Sequence, residues 1–267
     1  MPRILLTGAA GGIGTWLRKL LPPFYPDLVL SDRVAPTDLN SSETFVAADL
    51  ADPDAIAELC KSVDGILHFG GYSVEGPWQD ILQANIIGCH NLFEGARKAG
   101  VTRVVFASSN HVVGFYPRAR KIGANVTARP DSRYGVSKVF GEAMGALYAD
   151  KHGLRVTCLR IGNVAERPVD LRRLAIWLAP QDLVQLCRIG LEHPAVQYEV
   201  VYGASRSSRC WWDNSRAHEL GYRPIGNADD FEHEALAAQA KLPPDSVGDK
   251  FQGGAFCSAD YDAEHPA

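Results

Sequence analysis

What the 267-residue chain lacks narrows its class first. No apolar run approaches the roughly 18 residues that a membrane span needs. Met1–Leu6 runs straight into a glycine-rich turn, which is not the pattern of an export signal. The net charge is −4, so no broad basic field points to nucleic acid. Six cysteines (Cys60, Cys89, Cys158, Cys187, Cys210 and Cys257) are scattered, none in a Cys-x-x-Cys pair, and no HExxH or comparable spacing suggests a metal. We therefore expect reduced thiols, a cytoplasmic location, no metal, no membrane and no nucleic-acid partner. Asn40-Ser-Ser and Asn125-Val-Thr match a glycosylation acceptor that such a compartment leaves unused. Internal repeats and low-complexity segments are absent as well.

What is present has an ordinary globular balance, 46% hydrophobic and 22% charged. Short apolar runs at Arg3–Thr7, Asp27–Ser31, Thr44–Ala47, Gly65–Phe69, Arg103–Ala107, Arg155–Arg160 and Tyr198–Gly203 read as strands. They lack strict alternation, as strands buried on both faces do. Helical patterns lie between them, at Gly12–Leu21, Pro53–Ser62, Ile81–Ala99 and Tyr134–His152. This alternation predicts an α/β protein with a doubly wound parallel sheet. The texture changes after Arg160. We expect a single domain over 1–267, with 1–162 mainly a dinucleotide-binding core. The proline-punctuated stretches 163–195 and 210–267 would form a small C-terminal substrate-binding cap, with a further core strand near 197–203.

The stretch TGAAGGIG (Thr7–Gly14) follows the first strand and opens the first helix. Gly8, Gly11 and Gly14 are spaced G-x-x-G-x-x-G. One glycine permits the tight turn, another lets backbone approach a pyrophosphate, and the last lets helix and strand pack closely. With Gly12 and Ile13 they open a helix N-terminus that offers N–H groups to phosphate. The pattern is that of a Rossmann fold. Asp32 ends the second strand, where a carboxylate accepts ribose hydroxyls and repels a 2′-phosphate. That favours NAD over NADP, although the adjacent Arg33 is able to pair with such a phosphate. Asp49 and Leu50 fall beside the adenine, or mark only the start of the next helix.

Tyr134 and Lys138, in SRYGVSK, are one helical turn apart and share a face. Ser109 ends the fifth strand in SSNH. With the glycine motif, Asp32 and Asn85, these residues resemble the extended branch of the short-chain dehydrogenase/reductase superfamily, over at least residues 3–163. That resemblance implies Tyr134 as general base, Lys138 as its electrostatic partner and a donor to the nicotinamide ribose, and Ser109 holding the reacting oxygen. A phenol with a pKa near 10 is a poor base at neutral pH. A neighbouring ammonium and the nicotinamide cation are expected to lower it. The resemblance also sets Phe69, Gly70, Gly71, Asn85 and Ile161 beside the cofactor. Asn85 supports the site from the helix after strand four, or is a satisfied core amide.

Extended-branch chains that handle nucleotide sugars usually run longer. HFGGYSVE, ILQANIIG, FASSNHVVGFYP, ARPDSRYGVSK, VVYGAS, WWDNS and FQGGAF resemble the uronate dehydrogenases, over nearly the whole chain. Such enzymes oxidise the C1 hydroxyl of pyranose D-galacturonate or D-glucuronate to an aldarolactone with NAD. A uronate needs a cation for its carboxylate and donors for its hydroxyls. Arg172 is the candidate clamp, with Arg173 the competitor. Ser73, Ser109, Asn110, His111, Tyr134 and Asn163 are the other expected substrate contacts, Asn163 standing where the family is expected to carry serine. The alternatives are a nucleotide-sugar epimerase or dehydratase of the same fold, and a non-catalytic dinucleotide sensor. The family also implies a homo-oligomer, dimer or higher, with a hexamer among the options. The apolar faces of Ile81–Ala99 and Tyr134–His152 suit an intersubunit bundle or the core.

Overall fold

The computed structural model describes residues 2–262. Its strands are β1 (Ile4–Thr7), β2 (Leu28–Asp32), β3 (Thr44–Ala47), β4 (Gly65–His68), β5 (Arg103–Ser109), β6 (Arg155–Ile161), β7 (Asn163–Val164), β8 (Trp177–Leu178) and β9 (Tyr198–Gly203). Seven of them pair in the order β3-β2-β1-β4-β5-β6-β9, every pair parallel, while β7 and β8 form a separate pair. The order reverses between β1 and β4. Strand ends there open a crevice, the usual ligand position in such a sheet. Register sets Thr7 opposite both Ser31 and His68, so the glycine loop and the turn after β4 leave the sheet side by side.

Alternate residues of each strand feed two apolar layers. Ile4, Leu6, Val105, Ala107 and Leu159 pack with Leu17 and Leu21 around α1 (Gly12–Leu20). Leu5, Val104, Phe106, Val156 and Cys158 pack on the other face. There they meet α2 (Pro53–Cys60), capped by the Asp52 carboxylate, and two further helices. Between α2 and those helices, a short α3 (Trp78–Ile81) passes through a π-helical turn, Leu82–Ile87, into α4 (Gly88–Ala99). An uninterrupted helix was expected over Ile81–Ala99. The wider turn accommodates the buried Asn85, whose amide is fully engaged inward. The helix α5 (Arg133–His152) starts where Ser132 Oγ accepts from Gly135 N and stops at the left-handed Gly153.

After β6 the chain passes through β7 into α6 (Leu171–Ile176), capped by Asp170. The expected cap stretch 163–195 is too long. Its second half forms α7 (Pro180–Glu192), which buries Leu183, Leu186, Cys187 and Leu191 against the sheet in the same layer as α1. Amphipathic spacing of those residues puts the helix in the core rather than over the site. The segments α8 (Ser215–Glu219), α9 (Glu232–Gln239) and α10 (Ala255–Ser258) complete the chain. Trp212 fastens the tail: it stacks on Tyr202 at 4.6 Å, and its indole N–H donates to Gln252 Oε1 at 2.9 Å. Among the described residues no helix is long and apolar enough to cross a membrane.

Candidate active site

The glycine turn is sterically fixed. Gly8 has φ +75°, and a Cβ there would lie 2.5 Å from the Phe69 carbonyl. A Cβ on Gly14 would lie 2.1 Å from the Gly8 carbonyl oxygen. Asp32 holds the turn from β2, accepting from Ala10 N at 3.0 Å through Oδ2 and from Arg33 N at 2.8 Å through Oδ1. Thr7 Oγ accepts from Gly70 N at 3.1 Å and meets Nδ1 of the buried His68 at 2.8 Å. Burial, with the Lys138 charge adding to it, pushes the His68 imidazole down to about 3 and keeps it neutral. The loops after β1 and β4 are thereby joined at the crevice.

A cavity of about 730 Å³ runs along this edge. Gly8, Gly11, Gly12, Ile13, Gly14, Asp32, Arg33, Asp49 and Leu50 line one end, Phe69, Gly70, Gly71 and Ile161 the middle, and Ser73, Ser109, His111, Tyr134, Lys138 and Asn163 the other. Glycines without room for a Cβ, a helix N-terminus and a carboxylate at the end of β2 suit the pyrophosphate and ribose of a dinucleotide. Trp16, Tyr72, Asp80 and Gln83 also line it and were not singled out in the sequence. Trp16 had a signal, since it follows the last glycine by two residues on the same helix.

Three expected residues do not line the cavity. Asn85 spends its amide on structure: Oδ1 accepts from Tyr72 N at 2.7 Å, and Nδ2 donates to Tyr72 O and Ser137 Oγ, each at 2.9 Å. Ser137 in turn donates to the Tyr134 carbonyl at 2.7 Å. Asn85 therefore ties the loop after β4 to the helix of Tyr134, with its amide already engaged by the protein. Asn110 is almost fully buried. With its amide oriented to match its neighbours, it donates to Ile161 O and accepts from Arg172 Nη2, both at 3.1 Å. It stands behind the wall rather than on it.

Arg172, the third, is half-buried behind the same wall, its Nε donating to the Gln252 carbonyl at 2.9 Å. It forms no ion pair among the described residues, whereas Arg173 pairs with Asp170 and is partly exposed. Burial, with repulsion from Arg173 and Arg118, pulls the Arg172 guanidinium down to about 10, still protonated near neutrality. An unpaired cation held this way is suited to an incoming carboxylate.

At the chemical end Lys138 Nζ donates to Ala107 O at 2.8 Å and lies 5.5 Å from the centre of the Tyr134 ring. Burial pulls its ammonium down to about 8. Burial pushes the Tyr134 phenol up to about 12, opposed by the Ser109 hydroxyl and aided by Asp131. Desolvation therefore dominates at the phenol in the absence of the nicotinamide charge that was expected to act together with Lys138. Glu75, from the Ser73 loop, accepts from Tyr134 N at 3.0 Å and pairs with Arg133 at 2.9 Å. Among the described residues no cluster of three His, Cys, Asp or Glu side chains is able to hold a metal.

Residues 4–167 match the NAD dependent epimerase/dehydratase family. The uronate dehydrogenase of Pseudomonas putida is 44% identical over 259 residues, 96% of each chain. That of Agrobacterium fabrum is 42% identical, covering 96% of this chain and 97% of its own. Among solved structures, a mutant uronate dehydrogenase from Agrobacterium tumefaciens complexed with NAD superposes with a TM-score of 0.92 at 42% identity, covering 97% of both chains. A glucuronic acid dehydrogenase from Chromohalobacter salexigens gives 0.92 at 43% identity, covering 100% of this chain and 99% of the other. With a glycine-lined crevice, a Tyr-x-x-x-Lys helix beside it and these relatives over nearly its whole length, the chain belongs to the uronate dehydrogenases of the NAD dependent epimerase/dehydratase family.

Proposed function

We propose that the enzyme oxidises the C1 hydroxyl of pyranose D-galacturonate and D-glucuronate to the aldarolactone, with Tyr134 as general base and NAD as acceptor. NAD, when bound, takes the C1 hydrogen as hydride and brings a positive charge beside the phenol. The hydroxyl proton passes to Tyr134 Oη, and C1 becomes the lactone carbonyl. Because burial holds the free phenol up at about 12, this chemistry needs that positive charge together with the Lys138 ammonium. Ser109 orients the reacting oxygen. Its Oγ accepts from His111 N at 3.2 Å, leaving its proton to give. Ser73 and Asn163 offer polar contacts to the ring hydroxyls.

The observation that carries this reading is the Arg172 guanidinium, unpaired among the described residues and held by Gln252 and Asn110 behind the same wall as Ser109 and His111. Its role is to receive the C6 carboxylate, by a small movement of the wall or of the side chain. The test is the appearance of NADH absorbance with free hexuronates, set against UDP-sugars and neutral aldoses. Turnover of UDP-sugars alone would refute the reading. We further read the chain as a cytoplasmic homo-oligomer. Reduced, mostly buried cysteines and the exposed Val136 and Leu147 on α5 support this, and sedimentation analysis measures the assembly.

A further inference from the structure

Asp131 carries a carboxylate that none of the chemistry above uses, and its side chain is 0% exposed. Its Oδ2 lies 2.7 Å from His111 Nδ1, and its Oδ1 accepts from Ser132 Oγ at 2.8 Å. The space around it is kept by two glycines from distant parts of the chain. A Cβ on Gly114 would fall 1.7 Å from Oδ2, and one on Gly253 would fall 2.0 Å from it. Gly253 belongs to FQGGAF, and Phe256 of that segment stacks on the His111 ring at 3.9 Å. The same ring meets Tyr134 edge-on at 5.8 Å. His111 is therefore fixed on one nitrogen and one face, while it lines the cavity beside Ser109 and Tyr134.

A carboxylate has no proton to give, so the proton between the two groups sits on Nδ1. In the neutral ring Nε2 then carries a lone pair, and it has no partner among the described residues. Arg172 only donates. A sugar ring presents hydroxyls that donate as well as accept, and Nε2 is the acceptor for one of them. We propose that Asp131 is a positioning residue, holding His111 in the Nδ1–H form so that Nε2 accepts a hydrogen bond from a hydroxyl of the bound sugar. The proposal rests on the uronate reading of the site.

The tautomer is read by ¹⁵N NMR of histidine-labelled enzyme without substrate, at alkaline pH above the histidine range. The expected signature is a protonated Nδ1 and an unprotonated Nε2 on His111. Asp131→Asn, whose amide is able to donate to Nδ1, should move the proton to Nε2. It should lower kcat/KM for uronates by about five- to a hundredfold, the range for leaving a buried donor or acceptor without its partner. NADH affinity should stay unchanged. His111→Gln should lose a similar factor, and adding Asp131→Asn to it should cost little more. A merely structural aspartate would instead give effects that multiply. A proton on Nε2 of the wild-type ring, or near-normal kcat/KM in His111→Gln, overturns the proposal even where Asp131→Asn fails to fold. Wild-type enzyme that reduces no NAD with uronates fails the functional reading. Wild-type enzyme that does so with the wrong tautomer fails only this proposal.

Discussion

The dinucleotide end of the crevice is made of backbone, from one short run of chain, Thr7–Gly14, with Asp32 and Thr7 side chains tying it down. The opposite end, where we propose the substrate binds, is lined by side chains of Ser73, Ser109, His111 and Asn163, with Asn110 and Arg172 behind them, and Arg172 is held by Gln252, eighty residues further along. A backbone site demands glycine at fixed spacing and tolerates little else. A side-chain site is assembled by packing, so its members follow no local spacing. The first kind fails through one added methyl group, the second through one misplaced charge or hydrogen bond.

The largest expected loss is at the point where the two ends meet. Tyr134→Phe should reduce kcat by about 10²–10⁴-fold, the usual worth of general acid–base catalysis, with NAD binding retained by titration. A near-normal kcat would take Tyr134 out of the mechanism. Gly14→Ala should break only the backbone end. A Cβ 2.1 Å from Gly8 O forces the turn apart, costing about 1–3 kcal/mol of stability and much of the NAD affinity. Unchanged NAD binding would mean that the turn is not the cradle. Asp32→Ala should loosen the ribose contact and shift the NAD/NADP ratio of kcat/KM by about tenfold towards NADP, with Arg33 left to meet the phosphate. An unchanged ratio would show that another residue reads the ribose.

The smallest effect concerns stability. Burial lowers Lys138 from 10.5 to about 8, so between those values the unfolded chain holds the extra proton. Stability should therefore rise as pH climbs through that window, with the full penalty standing below about 8. Lys138→Met should remove the penalty, raising the cofactor-free Tm near neutral pH by roughly 2–4 °C per kcal/mol recovered, while activity falls. A lower Tm in that variant would mean that the bond to Ala107 O outweighs the burial cost.

Legibility in the sequence follows the same division. The strands, their parallel order of use and the glycine turn were readable because each rests on local spacing or on an apolar run. The tie of Asn85 to Tyr72 and Ser137 was not readable, because the π-helical turn that carries it leaves no periodic mark in the apolar pattern of Ile81–Ala99. Helix α7 was assigned to the cap because its flanking prolines resembled loop punctuation, yet Pro180 sits in the first turn, where a missing N–H costs nothing. Arg172 and Arg173 were indistinguishable by position. Only the folded chain separates them, giving Arg173 to Asp170 and leaving Arg172 without a carboxylate among the described residues. Asp131 and Phe256 lay within stretches that carried the resemblance, but contact with His111 depends on the tail returning to the crevice.

The measurement that tests the account most directly is the ratio of kcat/KM for galacturonate over galactose, in the wild type and in Arg172→Ala. A charge-assisted contact of this kind is worth about 1.5–3 kcal/mol, or roughly ten- to over a hundredfold. The ratio should collapse by about that factor, almost entirely through the uronate, with Arg172→Lys recovering only part because an ammonium lacks the planar fork. Arg173→Ala should leave the ratio near the wild-type value. An unchanged ratio in Arg172→Ala, or a collapse in Arg173→Ala instead, would contradict the assignment of the carboxylate to the unpaired guanidinium.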